Sequence, residues 1–143
     1  MVAVFWSAGV AAGTASQGES SFLIDGIGSQ ATMLKPTKMT LACNGLVAFI
    51  DSGYSAVRVF GDVSEHHRVR TIANKYGGYG YFDGTPEESS FEDVYGLAAT
   101  QTSSHGRCSV FVFDYNSAVI GLSAAPPARL RRVAIENVDS CNS

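Results

Sequence analysis

Apolar and polar positions change places over short distances along this chain, and the pattern is one of strands. Residues 36–43 (Pro-Thr-Lys-Met-Thr-Leu-Ala-Cys) run into Asn44-Gly45 and then Leu46-Val-Ala-Phe-Ile-Asp51. An Asn-Gly pair between apolar runs predicts a tight hairpin of two antiparallel strands. The second of these is apolar at five consecutive positions, which suits an inner strand buried on both faces. Residues 51–54 (Asp-Ser-Gly-Tyr) supply turn chemistry, and Ala56-Val-Arg-Val-Phe60 reads as a third strand. After a polar loop over 61–67, Arg68-Val-Arg-Thr-Ile-Ala73 alternates charge with apolar side chains, as an edge strand with one wet face does. No amphipathic run of helical length lies between the turn signals, so the chain reads as all-β.

The same programme runs twice. Asp25-Gly26 recurs as Asp83-Gly84, and Met39 recurs at the same offset as Leu97. Leu34 and Phe91 stand at almost that spacing, and Phe49-Ile50-Asp51 recurs at a slightly wider one as Val112-Phe113-Asp114. The wider offset follows from a polar loop, residues 101–107, where the first copy has Asn44-Gly45. Ala56-Val57 returns as Ala118-Val119, and the charged outer strand returns as Arg129-Leu-Arg-Arg-Val-Ala-Ile135. Two repeats of about 58–62 residues account for most of the chain.

These residues resemble the NHL repeat, the blade unit of one class of β-propellers. The second copy carries the resemblance in Ile72-Ala73, Gly77-Gly78-Tyr79-Gly80, Phe82-Asp83-Gly84, Phe91 and Tyr95-Gly96-Leu97; the first carries it in Gly13, Gly18, Phe22, Asp25-Gly26, Ala31, Leu34, Pro36, Met39, Asp51 and Val57-Arg58. Three positions depart from the pattern: Val94 replaces a proline, Tyr54 replaces an Asn, and the second copy has no Arg after Val119. The resemblance implies a β-propeller-like architecture of two four-stranded antiparallel blades, with repeats over 13–73 and 74–136. Residues 1–12 then form the outer strand of a preceding blade, and 137–143 a polar tail. Propellers close with four to eight blades. Two blades therefore imply a piece of a longer protein, a ring assembled from several copies, or an irregular two-sheet sandwich.

Composition adjusts this picture. At 143 residues the chain fits one domain, and charged residues make up only 16% of it against roughly 25% in an average soluble domain. Much of its surface should lie against protein. A net charge of −3 gives no overall attraction to phosphate or anionic lipid. Cys43, Cys108 and Cys141 are odd in number, far apart and without metal-ligand spacing, so Cys43 and Cys108 read as buried free thiols rather than a zinc site or disulfide framework. The apolar N-terminal stretch lacks the positive flank of a signal peptide and is too short and interrupted to span a bilayer.

Candidate chemistry is sparse. His66-His67 are adjacent, so on a strand they point apart and cannot easily grip one metal, as they could in a loop; the pair reads as a solvated linker. His105 has Ser103 and Ser104 beside it but no orienting acid or nucleophile elbow. Glu87, Glu88, Glu92 and Asp93 read as a solvated loop. Gly77-Gly78-Tyr79-Gly80 lacks the Lys-Ser/Thr of a phosphate loop. Asp25-Gly26, Asn44-Gly45 and Asp83-Gly84 read as structural turns, with Asp25 and Asp83 closing Asx-type turns. Asp51 and Asp114 end the inner strands, to bind backbone amides or to point into a propeller channel. Arg68, Arg70, Arg129, Arg131 and Arg132 fall on the outermost strands as edge protection. The expected function is an interaction module presenting loops to a protein partner or to further copies of itself. Its candidate binding residues are Asp51, Tyr54, Arg58, His105, Arg107, Asp114 and Asn116, with no catalytic residue, metal or cofactor assigned. The resemblance also admits a propeller lactonase, lyase or hydrolase with a channel metal, and RNA binding through the basic rim.

Overall fold

The structure, a computed structural model, describes residues 14–15, 23–61, 67–100, 108–115 and 129–135. Its strands in chain order are β1 (Thr14–Ala15), β2 (Gly26–Ile27), β3 (Thr32–Met33), β4 (Pro36–Leu41), β5 (Val47–Asp51), β6 (Ala56–Phe60), β7 (Arg68–Ala73), β8 (Val94–Ala99), β9 (Cys108–Asp114) and β10 (Arg129–Ile135). Two single-turn 3-10 segments, Gly28–Gln30 and Cys43–Gly45, are the only helical elements among the described residues. No helix there is long and apolar enough to cross a membrane. The chain is all-β, as the short alternating runs predict.

Two antiparallel sheets carry the fold. One has five strands in the order β2-β7-β6-β5-β4 and the other three, β10-β9-β8, while β1 and β3 form a small parallel pair. The Asn44-Gly45 hairpin forms, with Leu41 opposite Val47, but its connection is a 3-10 turn in which Gly45 takes a φ of 75°. β5 lies between β4 and β6 and is buried from Ala48 to Asp51, as its unbroken apolar run predicts.

Two strand positions differ from expectation. β7 is not an edge, because Gly26–Ile27 pairs along its outer side. Gly26 also lets the 3-10 turn after it fold back closely: a Cβ there would stand 2.9 Å from Cβ of Gln30. Arg129–Ile135 is an edge strand among the described residues, as expected, but third and not fourth, since it pairs with β9 along its whole length, from Arg129 opposite Asp114 to Ile135 opposite Cys108. Alternating charge marks a strand without giving its rank in the sheet. Among the described residues the expected pair of four-stranded units is thus a five-stranded and a three-stranded sheet. The expected strand at Ala118-Val119, residues 1–12, the 101–107 loop and the 137–143 tail lie outside the described residues.

The sheets pack face to face, β8 against β4 and β5, and β10 against β7. The shared core takes Ala48, Val57, Val59 and Ala73 from the larger sheet, and Val110, Val112 and Ile135 from the smaller, with Phe91 between. Each buried Val, Ile or Phe contributes roughly 1.5–3 kcal/mol. A disulfide joins Cys43 to Cys108 across this interface, with Cα atoms 6.0 Å apart. Both cysteines are fully buried as expected, but they are not free thiols. The turn after β4 and the start of β9 meet only once the sheets face each other, which no linear spacing reveals. On the other face of the larger sheet, Ala31, Phe49 and Val69 form a smaller cluster with Met33 and Phe60.

Candidate functional site

The most organised polar structure is a guanidinium held between two carboxylates, and it occurs twice. In the first instance Arg58, in the middle of β6, is wholly buried. Its Nη1 donates to Oδ2 of Asp51 at 3.3 Å and to the carbonyl of Thr32. Its Nη2 donates to Oδ1 of Asp25 at 3.2 Å and to the carbonyl of Ile24 at 2.8 Å. Asp51, equally buried at the end of β5, accepts from the backbone amides of Leu34 and, at 2.8 Å, Lys35. Asp25 accepts from Thr71 of β7, from its amide at 3.0 Å and its hydroxyl at 2.7 Å. A buried charge of this kind persists only when paired and hydrogen-bonded; Arg58 meets this through both Nη groups, while its Nε has no partner among the described residues. The latch therefore fastens residues 24–35 to three consecutive strands.

In the second instance Arg131 of β10 takes the same place. Its Nη1 donates to Oδ2 of Asp114 at 3.3 Å and to the carbonyl of Ser90, and its Nη2 donates to the carbonyl of Phe82 and pairs with Oδ1 of Asp83 at 2.7 Å. Asp114 accepts from the amides of Glu92 and Asp93, each at 3.2 Å. The guanidinium also lies 4.3 Å from the centre of the Phe91 ring, a cation–π distance. Ile24, Asp25, Thr32, Leu34 and Lys35 correspond to Phe82, Asp83, Ser90, Glu92 and Asp93 at one constant offset, that of the Asp-Gly pairs. Both latches look the same way. Arg58 shares its face with Phe49, away from the smaller sheet, whereas Arg131 shares its face with Val133 and Ile135, toward the larger one.

No family model, curated protein or solved structure matches the chain.

Of the candidate binding residues, Asp51, Arg58 and Asp114 are thus engaged inside the latches. Tyr54 is half-buried in the turn after β5, its carbonyl accepting from Asn74. His105, Arg107 and Asn116 lie outside the described residues. Asp25 and Asp83 bind arginines instead of closing Asx turns. Gly84 does serve a turn, at a φ of 158° with Glu88 so close that a Cβ would meet it at 2.9 Å. Arg131 is not a rim residue, being only 9% exposed, while Arg129 lies 5.1 Å over the Tyr81 ring and Arg132 is exposed.

The acidic stretch is local structure. Glu87 pairs with Lys75 at 2.9 Å, and this hydrogen bond raises the Lys75 pKa and lowers that of Glu87. Glu88 accepts from the amide and hydroxyl of Thr85. Among the described residues no group of three His, Cys, Asp or Glu could hold a metal. His67 stacks on Phe60, with ring centres 5.5 Å apart.

Two residues escape the sequence reading. Arg131 was legible as the counterpart of Arg58 only by matching Val57-Arg-Val59 to Leu130-Arg-Arg-Val133, against the nearer pair Ala118-Val119. Asn74, buried at a φ of 56°, has an amide that donates to the carbonyls of Tyr54, Ser55 and Gly78 and ties the end of β7 to the turn after β5. An Asn directly after a strand and shortly before Gly77 was its only mark.

Proposed function

We propose that this protein is an interaction module built from NHL-type, propeller-like repeats, whose sheets hold surface loops in fixed relation for a protein partner. The duplicated latch carries this reading. Two segments of unrelated detail hang from their sheets by the same contacts, so they behave as successive copies of one unit, and such units stack by resting each apolar face on the next. On the larger sheet Ala48, Val57 and Val59 are covered by the smaller one. Their counterparts by latch position are Phe111, Leu130 and Arg132, and Leu130 is 72% exposed. The smaller sheet thus leaves Leu130 exposed and Phe111 half-buried where its neighbour has buried apolar side chains, with Arg132 in place of Val59.

Both latch aspartates within the sheets spend their oxygens on amides and a guanidinium, which supports a positioning role over acid–base chemistry. RNA binding by the basic rim loses Arg131 to the latch. Native mass spectrometry of the full chain, purified under native conditions from its own cells, tests the reading. A complex heavier than the 15.1 kDa chain, containing a protein partner or further copies, is expected. A bare monomer throughout, or one equivalent of tightly bound calcium or zinc as a channel-metal enzyme would carry, overturns it.

A further inference from the structure

The two latches differ in one partner. Asp25 is held by Thr71 of β7, the strand beside Arg58. Among the described residues no strand lies beside Arg131, and β10 pairs with β9 alone. Its other edge lines a groove of about 880 Å³, whose remaining walls are β7 and residues from the 83–91 segment. Asp83 faces this groove. Its side chain is 87% exposed, it is engaged only by Arg131 through Oδ1, and among the described residues its Oδ2 accepts no hydrogen bond.

We propose that the edge of β10 away from β9, unpaired among the described residues, is a docking site for an extended strand of a protein partner, antiparallel to β10, that sets a Ser or Thr beside Arg131 and donates its amide and hydroxyl to Asp83. The proposal rests on the interaction-module reading for the class of occupant and adds the place and the chemistry. Strand addition supplies main-chain hydrogen bonds that any extended peptide can make, and side-chain positions supply selection.

Those positions follow from the register of β6 with β7, where Arg58 faces Thr71, Val59 faces Arg70 and Phe60 faces Val69. Carried onto β10, the hydroxyl residue faces Arg131, the residue before it faces Arg132, and the one before that faces Val133. Arg132 is exposed, so an acid opposite it is favoured and a base is repelled. Val133 is half-buried against the core and calls for an apolar partner. The preferred segment is therefore apolar, then acidic, then Ser or Thr. A second copy of this chain offers its own version of that strand poorly, because β7 carries Arg70 at the acidic position and is already paired on both sides.

The test is fluorescence anisotropy with the full chain and a labelled peptide, Arg-Val-Glu-Thr-Ile-Ala, which is the β7 sequence with its second arginine replaced by glutamate. Saturable binding is expected, weakened about tenfold or more when valine replaces the peptide threonine or when the protein carries Asp83→Asn. Asp83 is exposed, and an unchanged circular dichroism melt shows that this variant folds. The variant Arg132→Glu should reverse the preference, favouring the peptide that keeps its second arginine. Hydrogen exchange should slow at alternate β10 amides on binding. Equal binding of all peptides, protection elsewhere than β10, or no binding overturns the edge proposal, and a native complex found as above would still leave the module reading standing. Concentration-dependent protection of β10 in the chain alone would assign the edge to a second copy and overturn the proposal as well.

Discussion

Arg58 is the residue on which the larger sheet most depends. Its guanidinium is fully buried, and so is Asp51, so removing the cation leaves a carboxylate with no water and no counter-charge. Arg58→Ala should lower stability by about 3–5 kcal/mol, read as a fall in the urea midpoint. Arg58→Lys should recover little of it, because an ammonium on a flexible stem cannot serve two acids and two carbonyls from one plane. Arg131→Ala should cost less than Arg58→Ala, since Asp83 keeps most of its hydration. At this scale the sequence made the four aspartates visible, because they recur at near-constant spacing beside glycine or at strand ends. It hid what they bind, because the two arginines stand wider apart than the acids do and the intervening stretch breaks the offset that the acids obey.

Among elements, the strands of the first repeat were legible almost to the residue. Ala56–Phe60 and Arg68–Ala73 are bounded by turn chemistry that leaves the backbone little choice. What stayed illegible was neighbourhood. The very short β2 leaves no periodic signal, yet it covers the edge of β7, and β10, an edge strand among the described residues as its charge pattern predicts, pairs directly with β9. Thr71 joins these levels, since its hydroxyl fastens Asp25, the residue just before β2. Thr71→Val keeps the shape and removes the bond, at a cost of about 1 kcal/mol. Amide exchange at Gly26 and Ile27 should quicken while that of β5 stays unchanged, because the loss falls on the sheet margin and not its centre. Equal acceleration in both would show that the sheet opens as one unit.

For the whole molecule, the disulfide is the link that linear reading could not supply. Two buried cysteines 65 residues apart become neighbours only when the sheets face each other. Closing a loop of that length restrains the unfolded chain by about 4 kcal/mol. Denaturant melts with and without reductant, and of a Cys43→Ser/Cys108→Ser variant, should differ from the oxidised protein by that order, with the strands themselves retained in the far ultraviolet. The all-β class and the recurrence of the four aspartates were legible because they rest on local alternation and turns; the cross-link and the rank of β10 rest on contacts between distant segments.

The common orientation of the two arginines carries a final consequence. Arg58 and Arg131 both look back along the direction in which the sheets succeed one another, so the pile has a front and a rear that are chemically unlike. Any further unit added by this mode of packing would join head to tail, and a symmetric pair joined like to like would gain nothing from it.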